Sequence, residues 1–237
     1  KFNYPPHYKA KKRYENMKDT AIITERQVPF IRTFPSPGNI VEAFETVINL
    51  SWMCPYSCEF CYLQTNRTPE HMLYTNLDDM EDELEIAPYA HRASLTIWTM
   101  LSFALKKTLL KIPKNVLNIT DKLRDNFKGL SVNTDEKAVD YLFLNQGDIY
   151  DSLKENDADK SYFNISRVDI ESYYKHNSQF VFALNISEFN DILAVDHLTG
   201  YVSHLMSLLP NHPKVHFKIR TKSSFVNEMI KHDGLNR

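Results

Sequence analysis

"TVINLSWMCPYSCEFCYLQT", Thr46–Thr65, is the stretch on which the fold turns. Its opening run, Thr46–Ser51, has the β-branched and apolar composition of a strand. That run feeds directly into Cys54, Cys58 and Cys61, the three cysteines of the whole 237-residue chain. A strand that delivers three thiols to one short loop frames a site for soft metals, zinc or an iron–sulfur cluster. The spacing C-x3-C-x2-C lacks the second C-x2-C knuckle of a common structural zinc site, and the nearest later histidine is His71. Ordinary iron–sulfur carriers use four cysteines, so three leave a metal position open to a substrate or cofactor. A cluster with an open position, a zinc ion and an unreactive group of thiols all remain open at this point.

Working outward, "NLDDMEDELE" (76–85) sets Leu77, Met80 and Leu84 at helical spacing with Asn76 as the cap, completing half of a βαβ unit. "QFVFALNI", Gln179–Ile186, is a nearly continuous apolar run that suits a strand covered on both faces. After it, Ile192, Val195, Leu198, Val202, Leu205 and Leu209 recur at helix spacing until Pro210. "KVHFKIRTK", Lys214–Lys222, is a third strand, and "SSFVNEMIKH" (223–232) a further helix. Strand, helix, strand, helix with parallel-sheet composition predicts an α/β fold. One crossover needs about 30 residues, far fewer than separate the last cysteine from the second strand. Most of the surplus is helical in pattern and is expected to be an inserted α-helical subdomain. The predicted organisation is therefore a basic arm and linker at 1–39, a first β/α unit with the cysteine loop at 40–87, the helical insertion at 88–175, and two more β/α units at 176–237. Within the first of these, "PFIRTFPSPGN", Pro29–Asn39, is expected to be a proline-rich connection.

Apolar residues make up 43% of the chain and charged residues 24%, the composition of an ordinary globular protein. The net charge of −2 gives no global attraction to nucleic acid, although residues 1–20 are locally basic. No apolar run reaches the length of a membrane span, and no signal-peptide pattern follows Lys1. An odd number of tightly clustered cysteines argues against a disulfide framework and for a reducing, cytoplasmic setting.

The third strand alternates. Val215, Phe217 and Ile219 are apolar, while His216, Lys218, Arg220 and Lys222 are basic, so the basic groups share one face. In an α/β barrel that face points inward, where stacked cations require anions. An edge strand with a solvated basic face is the other possibility.

"CPYSCEFC" resembles the C-x3-C-x2-C signature of radical S-adenosylmethionine enzymes. "CYLQT", "NDILAVDHLT" (190–199) and "KVHFKIRTK" are similar to the spore photoproduct lyase branch and its photolyase-like relatives, over about a third of the chain. The resemblance implies a partial, incomplete TIM-type β/α barrel with a large helical insertion after its first strand. It implies a [4Fe–4S] cluster on Cys54, Cys58 and Cys61, with S-adenosylmethionine completing it. Phe60 would lie against the adenine, Glu188 would meet the amino group and Lys222 the carboxylate of the cofactor. Asp191 would orient a ribose hydroxyl or serve as a helix N-terminal acid. Tyr62 would pack on the cluster loop or relay a radical. The implied activity is hydrogen abstraction by a 5′-deoxyadenosyl radical, with DNA or another nucleic acid as partner and flavodoxin or ferredoxin as reductant. Three departures stand against direct thymine-dimer repair by the branch's route: no fourth cysteine, Phe60 in place of a tyrosine, and the foreign insertion. The family's barrel also needs about three strands beyond Lys222, so the chain is expected to be a fragment or a shortened member that relies on a partner. A non-catalytic nucleic-acid-binding module, and a radical enzyme acting on a peptide or small molecule, are the alternatives.

Overall fold

The computed structural model describes residues 21–34, 45–52, 54, 71–104, 114–153, 164–179, 181–186, 191–219 and 221. The basic arm at 1–20 and the helix expected at 223–232 lie outside them. Seven strands are described: β1 (Ala21–Thr24), β2 (Ile31–Phe34), β3 (Glu45–Ile48), β4 (Ser51–Trp52), β5 (His71–Tyr74), β6 (Phe182–Ile186) and β7 (Val215–Ile219). Seven helices accompany them: α1 (Leu77–Ala104), α2 (Lys114–Gly129), α3 (Asp135–Leu144), α4 (Gln146–Leu153), α5 (Arg167–His176), α6 (Ile192–Thr199) and α7 (Tyr201–Leu208).

The expected strand at 46–51 serves two sheets in succession. Its first part, β3, sits inside a four-stranded sheet of order β2-β3-β6-β7, antiparallel to β2 and parallel to β6. Its continuation, β4, pairs antiparallel with β5 in a three-stranded sheet of order β1-β5-β4. β6 and β7 are also parallel, so β3, β6 and β7 run side by side in one direction. Register aligns Ile31, Ile48, Ile186 and Ile219 in a single row across all four strands. That row faces a core completed by Met80, Leu84 and Ala87 of α1 and by Ile192, Val202 and Leu205 of α6 and α7. Described strands and helices are thus mixed α/β, with no closed barrel among the described residues.

A second core is all helical, with Ile97, Met100 and Leu101 of α1 packed on Leu123 and Phe127 of α2, Leu142 of α3 and Ile170 of α5. Trp98, expected in the core, is half-buried against it, while the side chain of Phe103 lies outside the described ones. α1 belongs to both cores, because its 28 residues extend about 42 Å at 1.5 Å per residue. Residue 88, expected to open the insertion, is a proline inside this helix, so the helical region grows out of the first helix instead of following it. Asn76, expected as the cap of α1, is otherwise engaged: its Oδ1 accepts from Arg26 N–H at 2.7 Å and its Nδ2 donates to Arg26 C=O at 3.1 Å.

Two further expectations are corrected. The segment at 29–39 is not only a connection, because Phe30 and Ile31 are buried and Ile31–Phe34 is strand β2. Its residues satisfy their backbone through side chains of the helices, a signal no local pattern carries. The single helix expected up to Pro210 breaks at Gly200, whose φ of 65° is open to glycine at little cost. Asp196 Oδ1 then accepts from Val202 N–H at 2.7 Å and starts α7. The two pieces turn through 92°, and no single described helix is long and apolar enough to cross a membrane. Leu198, read as part of the apolar face, is 71% exposed as a result.

β2 is fastened by buried charge. Glu83 of α1 is 6% exposed and accepts from Phe30 N–H at 3.2 Å and Ile31 N–H at 2.9 Å. Arg124 of α2 donates to Ile31 C=O, and Asp121 accepts from Thr33 N–H at 3.3 Å. Burial raises the Glu83 carboxyl above its usual range, opposed by those two amides and by Arg124. The folded chain therefore holds this proton more tightly than the unfolded chain does. The resulting stability is present at acid pH and is lost as pH rises through the raised value. Glu83→Gln is expected to remove that part of the pH dependence in urea unfolding. Glu83→Ala, which strands two buried amides, is expected to cost about 2–5 kcal/mol.

Candidate functional site

Because β3, β6 and β7 are parallel neighbours, their C-terminal ends share one edge of the sheet. The chain leaving β3 passes through β4 and reaches Cys54 six residues after Ile48. Cys54 is buried, 8% exposed, close behind the half-buried Trp52. Cys58, Phe60, Cys61 and Tyr62 lie outside the described residues, as do Glu188 and Lys222. Cys54 and Asp191 are the expected site residues that the structure describes. Among the described residues no group of three or more His, Cys, Asp and Glu side chains is placed to hold a metal ion.

Asp191 immediately precedes α6 in extended backbone and makes no side-chain cap bond to that helix. Its carboxylate is instead 7% exposed and accepts a 2.7 Å hydrogen bond from Thr221 Oγ1. This bond joins the chain after β6 to the chain after β7 at the C-terminal edge of the sheet. In sequence it falls three residues past Glu188 and one before Lys222. A buried carboxylate held by a hydroxyl is chemically suited to orient a hydroxyl-bearing ligand.

The face of the sheet away from the isoleucine row carries Val47, Asn185 and Lys218 at one register level, and Ala183 beside His216 at the next. Val47 and Asn185 are buried, while His216 and Lys218 are exposed. The alternation expected for the third strand is present, but β7 stands at the end of the described sheet and its basic side chains meet solvent. The expectation of cations enclosed in a lumen is corrected on this point for His216 and Lys218. Arg220 lies outside the described residues.

Asn185 was missed by sequence reasoning. It is 8% exposed, and its Oδ1 has no hydrogen-bond partner among the described residues. The available signal was a polar residue inside an apolar strand, set by alternation on the face opposite Phe182, Leu184 and Ile186. Asp196 and His197 of the quoted segment 190–199 sit on α6: Asp196 starts the next helix and His197 is exposed.

No family model, no curated protein and no solved structure matches this chain. Thr221→Val removes the hydroxyl that holds Asp191 and is expected to cost about 1.5–3 kcal/mol in urea unfolding, the range for a hydrogen bond to a charged group. Hydrogen exchange checks the location: the amides of β7 should open sooner than those of β3.

Proposed function

We propose that this chain is a radical S-adenosylmethionine protein of the spore photoproduct lyase-like group, with Cys54, Cys58 and Cys61 as ligands of a [4Fe–4S] cluster. The observation that carries the proposal is the parallel run of β3, β6 and β7. In such sheets ligands bind beyond the carboxyl ends of the strands. Every residue given a role by the resemblance follows one of these three strands: the cysteines, Phe60 and Tyr62 after β3 and β4, Glu188 and Asp191 after β6, Lys222 after β7.

The described residues fit that group as far as they reach. Three thiolates and one open position suit iron and sulfide better than a closed zinc site. Cys54 is shielded from water, as a ligand to an oxygen-sensitive cluster should be. The chemistry such a cluster supplies when bound is one-electron cleavage of S-adenosylmethionine to methionine and a 5′-deoxyadenosyl radical. The chain's own part is to bind and orient. Glu188 and Lys222 take the amino and carboxylate groups of the cofactor, Phe60 takes its adenine, and Tyr62 packs beside the loop. Asp191, fixed by Thr221, accepts from a ribose hydroxyl.

The exposed His216 and Lys218 favour a nucleic acid as the partner on the basic face. Flavodoxin or ferredoxin is the proposed electron donor, and a cytoplasmic location accords with reduced thiols. The same exposed face supports the second reading, a nucleic-acid-binding module without catalysis.

Anaerobic reconstitution of the chain is expected to give a brown protein with about four irons. Cys54→Ala, Cys58→Ala and Cys61→Ala should each lose that iron, and the parent should form 5′-deoxyadenosine with dithionite. A colourless protein that retains one zinc contradicts the proposal. Binding of ultraviolet-damaged DNA without cofactor cleavage would favour the module.

A further inference from the structure

At the opposite end of β6 and β7 from Asp191, a cleft of about 200 Å³ opens between their N-terminal ends and α1. The strands between are five residues long, so about 17 Å of sheet separates it from the candidate site. Its walls include Arg92, Lys214, His216, Gln179, His91 and Phe182, and no carboxylate is among the described lining residues.

Arg92 is the unusual group. It is 8% exposed, and its guanidinium stands 5.1 Å from the centre of the Tyr174 ring. Its Nη1 donates to Asp135 Oδ1 at 2.9 Å, and its charge also acts on the Tyr174 hydroxyl. The same oxygen also faces Lys214 Nζ at 3.6 Å. One carboxylate, itself 53% exposed, thus serves two cations. His91 beneath it is held near pKa 4 by burial and by Arg92, so it is neutral and offsets nothing. His216 stands exposed at the mouth. A buried guanidinium beside a second cation is stabilised when an oxyanion adds acceptors to the one carboxylate they share.

We propose that this cleft binds a small oxyanion-bearing molecule, with the Arg92 guanidinium as its anchor and Lys214 and His216 at its mouth. A guanidinium presents paired donors that match the oxygens of a phosphate or carboxylate. The volume equals that of about six or seven waters at ~30 Å³ each, which suits a compact molecule and not a polymer strand. Phe182 gives the cleft an apolar wall against which a short carbon skeleton packs. The site uses no cysteine and is independent of the proposed radical chemistry.

The test is a nuclear magnetic resonance titration of the isotope-labelled full chain, without iron, using inorganic phosphate in one arm and malonate in the other. Saturable shifts of the His216 ring and of Lys214 are expected in at least one arm, and the arm that saturates at lower concentration identifies the oxyanion. Lys214→Gln, at an exposed position, should weaken binding at least fivefold, and Arg92→Lys more strongly. Lys122→Gln, an exposed charge on α2, should change nothing. The absence of saturable shifts in both arms up to about 10 mM, well above the ~1 mM range of weak binding, overturns the proposal. Equal weakening by Lys122→Gln overturns it too, because the attraction would then be general charge.

Discussion

The Glu83 carboxylate, buried between α1 and β2, is the constraint on which the arrangement depends. β2 lies at one end of the four-stranded sheet, where an unpaired row of backbone groups would ordinarily be left to solvent or to another chain. Here Glu83 takes the amides of Phe30 and Ile31, Arg124 reaches the Ile31 carbonyl and Asp121 takes the Thr33 amide. The edge is closed by side chains of two helices. Those helices also build the second core, so the sheet and the helical region are joined by polar bonds as well as by the shared apolar length of α1. Ile31 then sets the register of β3, and β3 leads the chain toward Cys54.

From this anchoring the sheet acquires two chemically different ends. At the C-terminal end, the Asp191–Thr221 bond ties together the segments that follow β6 and β7. At the N-terminal end, Arg92 and Lys214 crowd one carboxylate beside an open cleft. The intervening face is polar only in part: Asn185 holds a buried acceptor without a donor among the described residues, while His216 and Lys218 project into solvent. An orphaned acceptor at 8% exposure is a local cost to folding, and such costs concentrate where a ligand later supplies the missing bond.

How much of this could be read beforehand depended on whether the signal was local. β3, β6 and β7 were legible because β-branched and apolar runs with few breakers announce strands; β6 and β7 lie inside their expected spans, and β3 starts one residue before its expected span, at Glu45. The helix after β6 was legible as amphipathic, but its break was hidden, because Gly200 in a helical pattern looks like a tolerated weak residue until Asp196 caps the next turn. β1, β2 and β5 are four residues each, and what fixes β2 is a set of side chains more than fifty positions away. Of the candidate site, the cysteine spacing and Asp191 came from sequence. The partner of Asp191 and the burial of Asn185 did not, since both depend on which strands become neighbours.

The central claim is that three thiols hold a cluster with one iron left for the cofactor. Electron paramagnetic resonance of the reconstituted, reduced chain, recorded with and without S-adenosylmethionine, tests it most directly. A change in the cluster signal on addition of the cofactor, lost in Cys58→Ala, is the predicted result. A signal identical in both samples would contradict the account.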